Sequence, residues 1–211
     1  MPDWIRLRSR HWTQTKVFDV LGLLFRLLFG LAIALGTGFG ASYYALTDGR
    51  LLAAVRVGPW VAWPDVGQAA PNPYTRAYLA RTGHLQLGHA EGIQFSAFSD
   101  DDGEALDARC TYEIRGTVPG ASFWTLVATA LDGTNIAASD ALPALHSERI
   151  ARSGAGDLVA AVGPHLSPGN WLETAGKGEF VILLTLYDAT AFSGGNSALG
   201  DMPSIRKLVC P

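Results

Sequence analysis

The spacing of hydrophobic positions divides the chain into two parts. From Leu27 to Thr47 no residue is charged and the apolar side chains fall on every face of a helix, so the pattern is that of a lipid-facing segment rather than an amphipathic one. Further on, the apolar runs shorten and take a period of two. The most apolar of them, Phe180-Val181-Ile182-Leu183-Leu184-Thr185-Leu186-Tyr187, is too hydrophobic to face water on either side and reads as a central strand in an all-β core. It is entered from Gly169-Asn170-Trp171-Leu172 through the turn Ala175-Gly176-Lys177-Gly178.

The remaining elements follow in order. Leu51 to Val57 predicts a short strand, and Gly58 to Pro64 an extended stretch, because each proline turns the residue before it away from helix. One soluble helix is marked by Asn72 as cap, Pro73 at its first position and Gly83 just past its end. Tyr74, Ala77, Tyr78 and Arg81 share one of its faces by spacing. Ile93, Phe95 and Ala97 then alternate with polar or smaller neighbours, and Asp102-Gly103 turns the chain. Cys110, Tyr112 and Ile114 alternate in the same way. Phe123 to Leu131 and Leu158 to Val162 are further strands, separated by turns at Pro119-Gly120, Asp132-Gly133 and Ser153 to Asp157. Many short strands at regular turn spacing predict a jelly-roll-like β-sandwich with one short helix, preceded by a single N-terminal transmembrane helix.

About twenty apolar residues suffice to cross a bilayer as a helix. Arg6, Arg8, Arg10, Lys16 and Arg26 precede the segment, against Arg50 and Arg56 with Asp48 after it, which predicts a cytoplasmic N-terminus. The expected division is 1–26 as a basic cytoplasmic segment, 27–47 as the anchor, 48–192 as an exported sandwich domain and 193–211 as an irregular tail. A cleaved signal peptide is the competing reading, with small-residue sites near Gly38 to Ser42; the long basic region speaks for the uncleaved anchor. Both readings export the domain.

Composition adds limits. The chain has 211 residues, 17% of them charged, and a net charge of −3, which leaves no basic footprint for nucleic acid. Cys110 and Cys210 are the only cysteines; in an exported domain such a pair reads as one disulfide, and two thiols alone cannot make a tetrahedral zinc site.

The polar clusters yield little chemistry. His84, His89 and Glu91 are metal-ligand types, but their spacing fits no metalloenzyme pattern and reads as a polar loop. Asp100 to Glu104 lacks the alternating ligands of a calcium loop and reads as a solvated turn. Ser167-Pro168-Gly169 and Ser193-Gly194-Gly195 lack the strand-turn-helix setting of a nucleophile, and His146-Ser147-Glu148 is adjacency, not triad geometry. Two places remain as ligand- or partner-binding candidates. One is Asn170 and Trp171, alternatively a turn-bonding amide and a core-edge ring. The other is Tyr74, Arg76 and Tyr78 on the helix, alternatively side chains packed on the sandwich.

Several segments taken in order resemble the bacterial family called domain of unknown function 1214. They are Asn72 to Ala77, Glu91 with its strand, Asp101 to Leu106, Tyr112-Glu113-Ile114, Pro119 through Trp124, Gly156-Asp157-Leu158, Gly169 to Leu172 and Leu186-Tyr187. The resemblance covers about Gly58 to Thr190. It departs from the family pattern at Glu173, Ala175, Thr185 and Ala189 and in the strand Leu126 to Ala130. It implies a jelly-roll-like fold and no established activity. The family's domain often follows another domain of unknown function, 1254, so a partner chain carrying that half is expected. The functional expectation is a bacterial inner-membrane protein with a periplasmic domain, acting as a non-catalytic binding or assembly module without cofactor. The alternative is an enzyme or small-ligand binder with an aromatic-lined pocket between the sheets.

Overall fold

The run Phe180–Ala189 forms strand β9, and in the computed structural model of the chain it is central in its sheet. The structure describes residues 4–47, 54–82, 87, 91–138, 140, 142–152, 154, 156–189 and 202–211. It divides into two units, Met1–Asp48 and Gly49–Pro211.

The first unit is helix α1, Trp4–Thr47. By length and composition its candidate membrane window runs from Val20 to Tyr44, with Arg26 as its one basic residue. Its side chains from Leu23 to Tyr44 are exposed on all sides, as length and composition for a bilayer crossing require.

In the second unit the strands are β1 (Val55–Val57), β2 (Trp60–Ala62), β3 (Gly92–Ala97), β4 (Thr111–Gly116), β5 (Ala121–Ala130), β6 (Leu145–His146), β7 (Leu158–Gly163), β8 (Asn170–Glu173), β9 and β10 (Ser204–Val209). Helix α2 spans Pro73–Thr82. One sheet has the order β1-β2-β3-β9-β5-β6 and the other β10-β4-β7-β8. All pairs are antiparallel except β7 with β8, where the chain turns back between Gly163 and Asn170 and sets Ala160 beside Asn170. The class is therefore mostly β, a two-sheet sandwich with one short helix, as the alternation predicts.

Period-two patterning fixes the interior. Phe180, Ile182, Leu184 and Leu186 of β9 turn inward beside Ile93, Phe95 and Ala97 of β3 and Trp124, Leu126 and Ala128 of β5. They meet Tyr112 and Ile114 of β4, Leu158, Ala160 and Val162 of β7, Leu172 and Ile205. Tyr112 and Phe180 stand edge to face at 5.9 Å between ring centres, a favoured aromatic geometry. Val181 and Thr185 on the opposite face of β9 are buried too, while Leu183 and Tyr187 on that face are half-buried. Gly92 lets β3 close on β9, since a Cβ there would collide with the Leu186 carbonyl.

A second cluster, Val61, Trp63 and Val66 with Leu79 and Phe98, lies apart from the first. Leu79 belongs to α2, and among the described side chains of that helix Thr75 is buried and Tyr74 exposed. Asn72 caps it as predicted, its Oδ1 accepting the Tyr74 N–H at 2.9 Å.

The C-terminal residues correct the expectation of an irregular tail. Ser204–Val209 pair with β4 as an edge strand. Ile205 is buried, its N–H donates to Asp101 Oδ2 at 3.0 Å, and its carbonyl accepts the Asp101 N–H at 2.9 Å. Trp60 Nε1 donates to the Pro203 carbonyl at 2.7 Å and Ser204 Oγ to the Arg115 carbonyl at 2.9 Å. The short Ser-Ile-Arg-Lys-Leu-Val run has one buried apolar position, too little for periodicity to reveal. Cys210 is bonded to Cys110 across 100 residues, which fastens the edge strand to the start of β4.

Replacing both cysteines by serine is expected to cost about 2–4 kcal/mol of stability, the usual scale for a crosslink closing a long loop. Urea unfolding of the full chain in detergent, followed by tryptophan fluorescence, measures it.

Candidate functional site

Three segments far apart in sequence converge at one end of the sandwich. The link from β4 to β5 supplies Thr117, Val118, Pro119 and Gly120; the link from β6 to β7 supplies Arg152 and Gly156; Ala121 and Trp124 of β5 and Leu158 of β7 come from facing sheets. Together they line a cavity of about 180 Å³. Trp124 and Leu158 are almost wholly buried and form an apolar floor, while Arg152 is exposed at the rim.

Asn170 governs this end without lining it. Its Oδ1 accepts the Ala151 N–H at 2.7 Å, and its Nδ2 donates to the Ala151 carbonyl at 2.7 Å and the Val159 carbonyl at 2.8 Å. The amide thus holds both polar groups of the residue before Arg152 and ties them to β7. Arg152 Nη1 donates to the Gly156 carbonyl at 3.5 Å, and Gly156 takes a φ of 85°, where a side chain would be strained. Trp171 does different work. Its Nε1 donates to the Gly163 carbonyl at 3.1 Å, and the Thr174 N–H donates to the same oxygen at 3.2 Å, pinning β8 to the end of β7.

The other predicted residues lie elsewhere. Tyr74 is 41% exposed and Arg76 is exposed on α2; the side chain of Tyr78 lies outside the described residues, as do His84 and His89. Glu91 is exposed, and its carbonyl accepts the Asp188 N–H. No group of three metal-ligating side chains occurs among the described residues. Asp100 to Glu104 forms a turn organised by Asp100, whose Oδ1 accepts the N–H groups of Asp102 and Glu104. Arg152 and Trp124 were not singled out as site residues from sequence. The one signal that pointed here was the family-like ordering of Pro119 to Trp124, Gly156 to Leu158 and Gly169 to Leu172.

Charge gathers beside β10 rather than at the cavity. Lys207 pairs with Glu104 and stands 4.0 Å from Asp100. The Lys207 hydrogen bond, then its charge, holds Glu104 below its ordinary range. Hydrogen bonds from the Arg109 guanidinium, then from its backbone N–H, lower Asp107 to about 2, and the hydrogen bonds of Arg115 lower Glu113. Asp101 moves the other way: burial raises it, against the Ile205 N–H and the charge of Arg206.

The fold and its stitched edge define a disulfide-closed β-sandwich domain. Residues 91–191 match the family model described as "Protein of unknown function (DUF1214)", so the resemblance read from the residues holds over that stretch; Asn72 to Ala77 falls outside it. The VPA0106 protein from Vibrio parahaemolyticus shares the fold at 18% identity with a TM-score of 0.52, over 67% of this chain and 36% of that one. An uncharacterized protein from Burkholderia cenocepacia is aligned at 12% identity with a TM-score of 0.40, over 59% of this chain and 31% of its own. The chain thus spans about a third of the length of these solved proteins. No curated protein matches.

Asn170→Ala is expected to cost about 2 kcal/mol, because it strands buried backbone groups, and Asn170→Asp more, because a carboxylate would face the Ala151 and Val159 carbonyls. Chemical denaturation ranks the two variants. The lowered carboxylates contribute stability above their ordinary values of 4.5 and 3.8, and it is lost as pH falls through their folded values, about 2 for Asp107. Asp101, raised, opposes this, since its contribution is greatest when protonated and is lost as pH rises through its folded value. With four lowered carboxylates, Glu104, Asp107, Glu113 and Asp132, against one raised, the urea midpoint should drop between pH of about 5 and about 2. Lys207→Gln should shrink that drop.

Proposed function

We propose that the chain is a membrane-tethered, non-catalytic binding module of the bacterial envelope. In this reading α1 crosses the inner membrane with its N-terminus in the cytoplasm, and the sandwich stands in the periplasm and docks a partner chain carrying the 1254-type half-domain. The observation that carries the reading is the Cys110–Cys210 disulfide in a domain that follows an apolar helix, since such bonds persist in oxidising compartments. The basic residues ahead of the span support the orientation. The partner is supported by the greater length of the Vibrio protein, in which this fold is a third of the chain. Tyr74 and Arg76, exposed on α2, are of the types that anchor interfaces.

A second reading, a small-ligand binder with an aromatic-lined pocket between the sheets, draws on the end cavity with Trp124 and Arg152. The middle of the sandwich is occupied by Phe95, Tyr112, Phe180 and Leu184, so the reading concerns that end alone.

Affinity purification of the full-length protein from its own membranes, with mass spectrometry, tests the first reading. The expected result is a stoichiometric partner bearing the second domain, with recovery reduced several-fold by the joint change Tyr74→Ala and Arg76→Ala. Repeated recovery of this chain alone, as a monomer, would sink it. The mass of the purified chain reports at the same time whether α1 is retained.

A further inference from the structure

We propose that the cavity at the end of the sandwich binds a carboxylate carried on a short apolar stem. This rests on the second reading above and names its ligand class.

Size comes first. A volume of about 180 Å³ holds about six water-sized groups, the heavy-atom count of a four-carbon carboxylic acid. Polarity is the second consideration. The floor is Trp124 and Leu158 and the wall mixes Val118 and Pro119 with Thr117 and the backbone at Gly120 and Gly156, so a short stem meets apolar side chains over part of its surface and polar groups over the rest. Charge is the third. Arg152 is the one ionisable side chain among the lining residues, and it stands at the rim. Asp157 follows Gly156 just beyond the lining, and its charge acts on Arg115. A single guanidinium matches a single negative charge, and its planar fork matches a carboxylate in two parallel hydrogen bonds. A dianion would leave one charge unpaired beside an apolar floor, which is costly.

The rim is also pre-shaped. Asn170 fixes Ala151 through both its backbone groups, and Arg152 spends one of its five donors on the Gly156 carbonyl. The guanidinium therefore starts next to a backbone anchored at Ala151, which reduces the ordering a ligand has to impose.

The same carboxylate chemistry is presented by a free short-chain acid or by the C-terminal residue of a peptide. The test uses the full chain in a neutral detergent, with nitrogen-15-labelled tryptophan indoles and the Trp124 signal assigned by Trp124→Phe. Sodium butyrate, 1-butanol, N-acetyl-alanyl-alanine and its C-terminal amide are titrated at constant ionic strength. The Trp124 indole shift should saturate with butyrate or with the peptide acid at millimolar concentrations. Butanol or the peptide amide should bind about tenfold more weakly or worse, the loss expected for a charge-assisted bond. Whichever acid binds more tightly identifies the source. Arg152→Gln should weaken the acid about tenfold and leave butanol unchanged, whereas Arg149→Gln, at an exposed position outside the lining, should change neither. Equal binding of butanol and butyrate by the unmodified chain overturns the carboxylate assignment and leaves the small-ligand reading standing. Absence of saturable shifts with all four probes overturns both.

Discussion

Burial of β9, complete on its inner face and partial on its outer one, is the constraint on which the sandwich depends. A strand of this composition cannot stay at an edge or face water, because every residue left exposed forfeits transfer free energy of about 1.5–3 kcal/mol per large side chain. It must have a strand on each side and a packed layer against its inner face. Strands β3 and β5 flank it, and β4 and β7 with their neighbours face its inner side. Once β9 is central, the chain on either side of it has to turn outward, and the ends of the sandwich become the places where links between strands meet. The cavity arises there for the same reason: the core is filled by inward side chains along the strands, and packing loosens where β4 gives way to the link that leads into β5.

The four-stranded sheet is held together by different means. It lacks a strand like β9, and its outer members, β8 and β10, are short. Polar groups take over where apolar area runs out. Asn170 and Trp171 bind β8 to β7 through backbone carbonyls, and Asp101, Ser204 and the disulfide bind β10 to its surroundings. Charged Arg206 and Lys207 sit on the exposed edge strand, where they discourage pairing with another chain. The sheet is thus a weaker layer fixed by directional bonds, and the loop that presents Arg152 inherits its position from one of them.

How much of this was legible in the sequence follows from the same division. Strands whose burial is set by alternation, such as β3 and β4, were visible because period two is a property of consecutive residues, and β9 because its apolar run is continuous. So was α2, whose cap and first-turn proline are local signals. The contact of Leu79 was not, because it is chosen by the cluster of Val61, Trp63 and Val66, which no local pattern announces. β10 was missed for a related reason: it is a strand by virtue of its partner β4 and the bonds of Asp101, not by its own propensity. The cavity was hidden most deeply. Trp124 reads as a core residue and Arg152 as a surface one, and both are so; only the fold puts them on one opening.

The asymmetry between Asn170 and Trp171 shows why residue type alone is a poor guide to function here. Both belong to the corner that sequence singled out, and both spend their polar atoms on the backbone of β7 or its approach. A buried amide that satisfies three backbone groups has little left to offer a ligand, since its carbonyl and both N–H groups are nearly used up. Arg152 is the reverse case. It is exposed, it has donors to spare, and it is steadied by a neighbour rather than consumed by one. In a sandwich whose interior is taken by side chains, a ligand can be met only where a held loop carries an unspent polar group over an apolar floor, and the end of the sandwich governed by Asn170 has that arrangement.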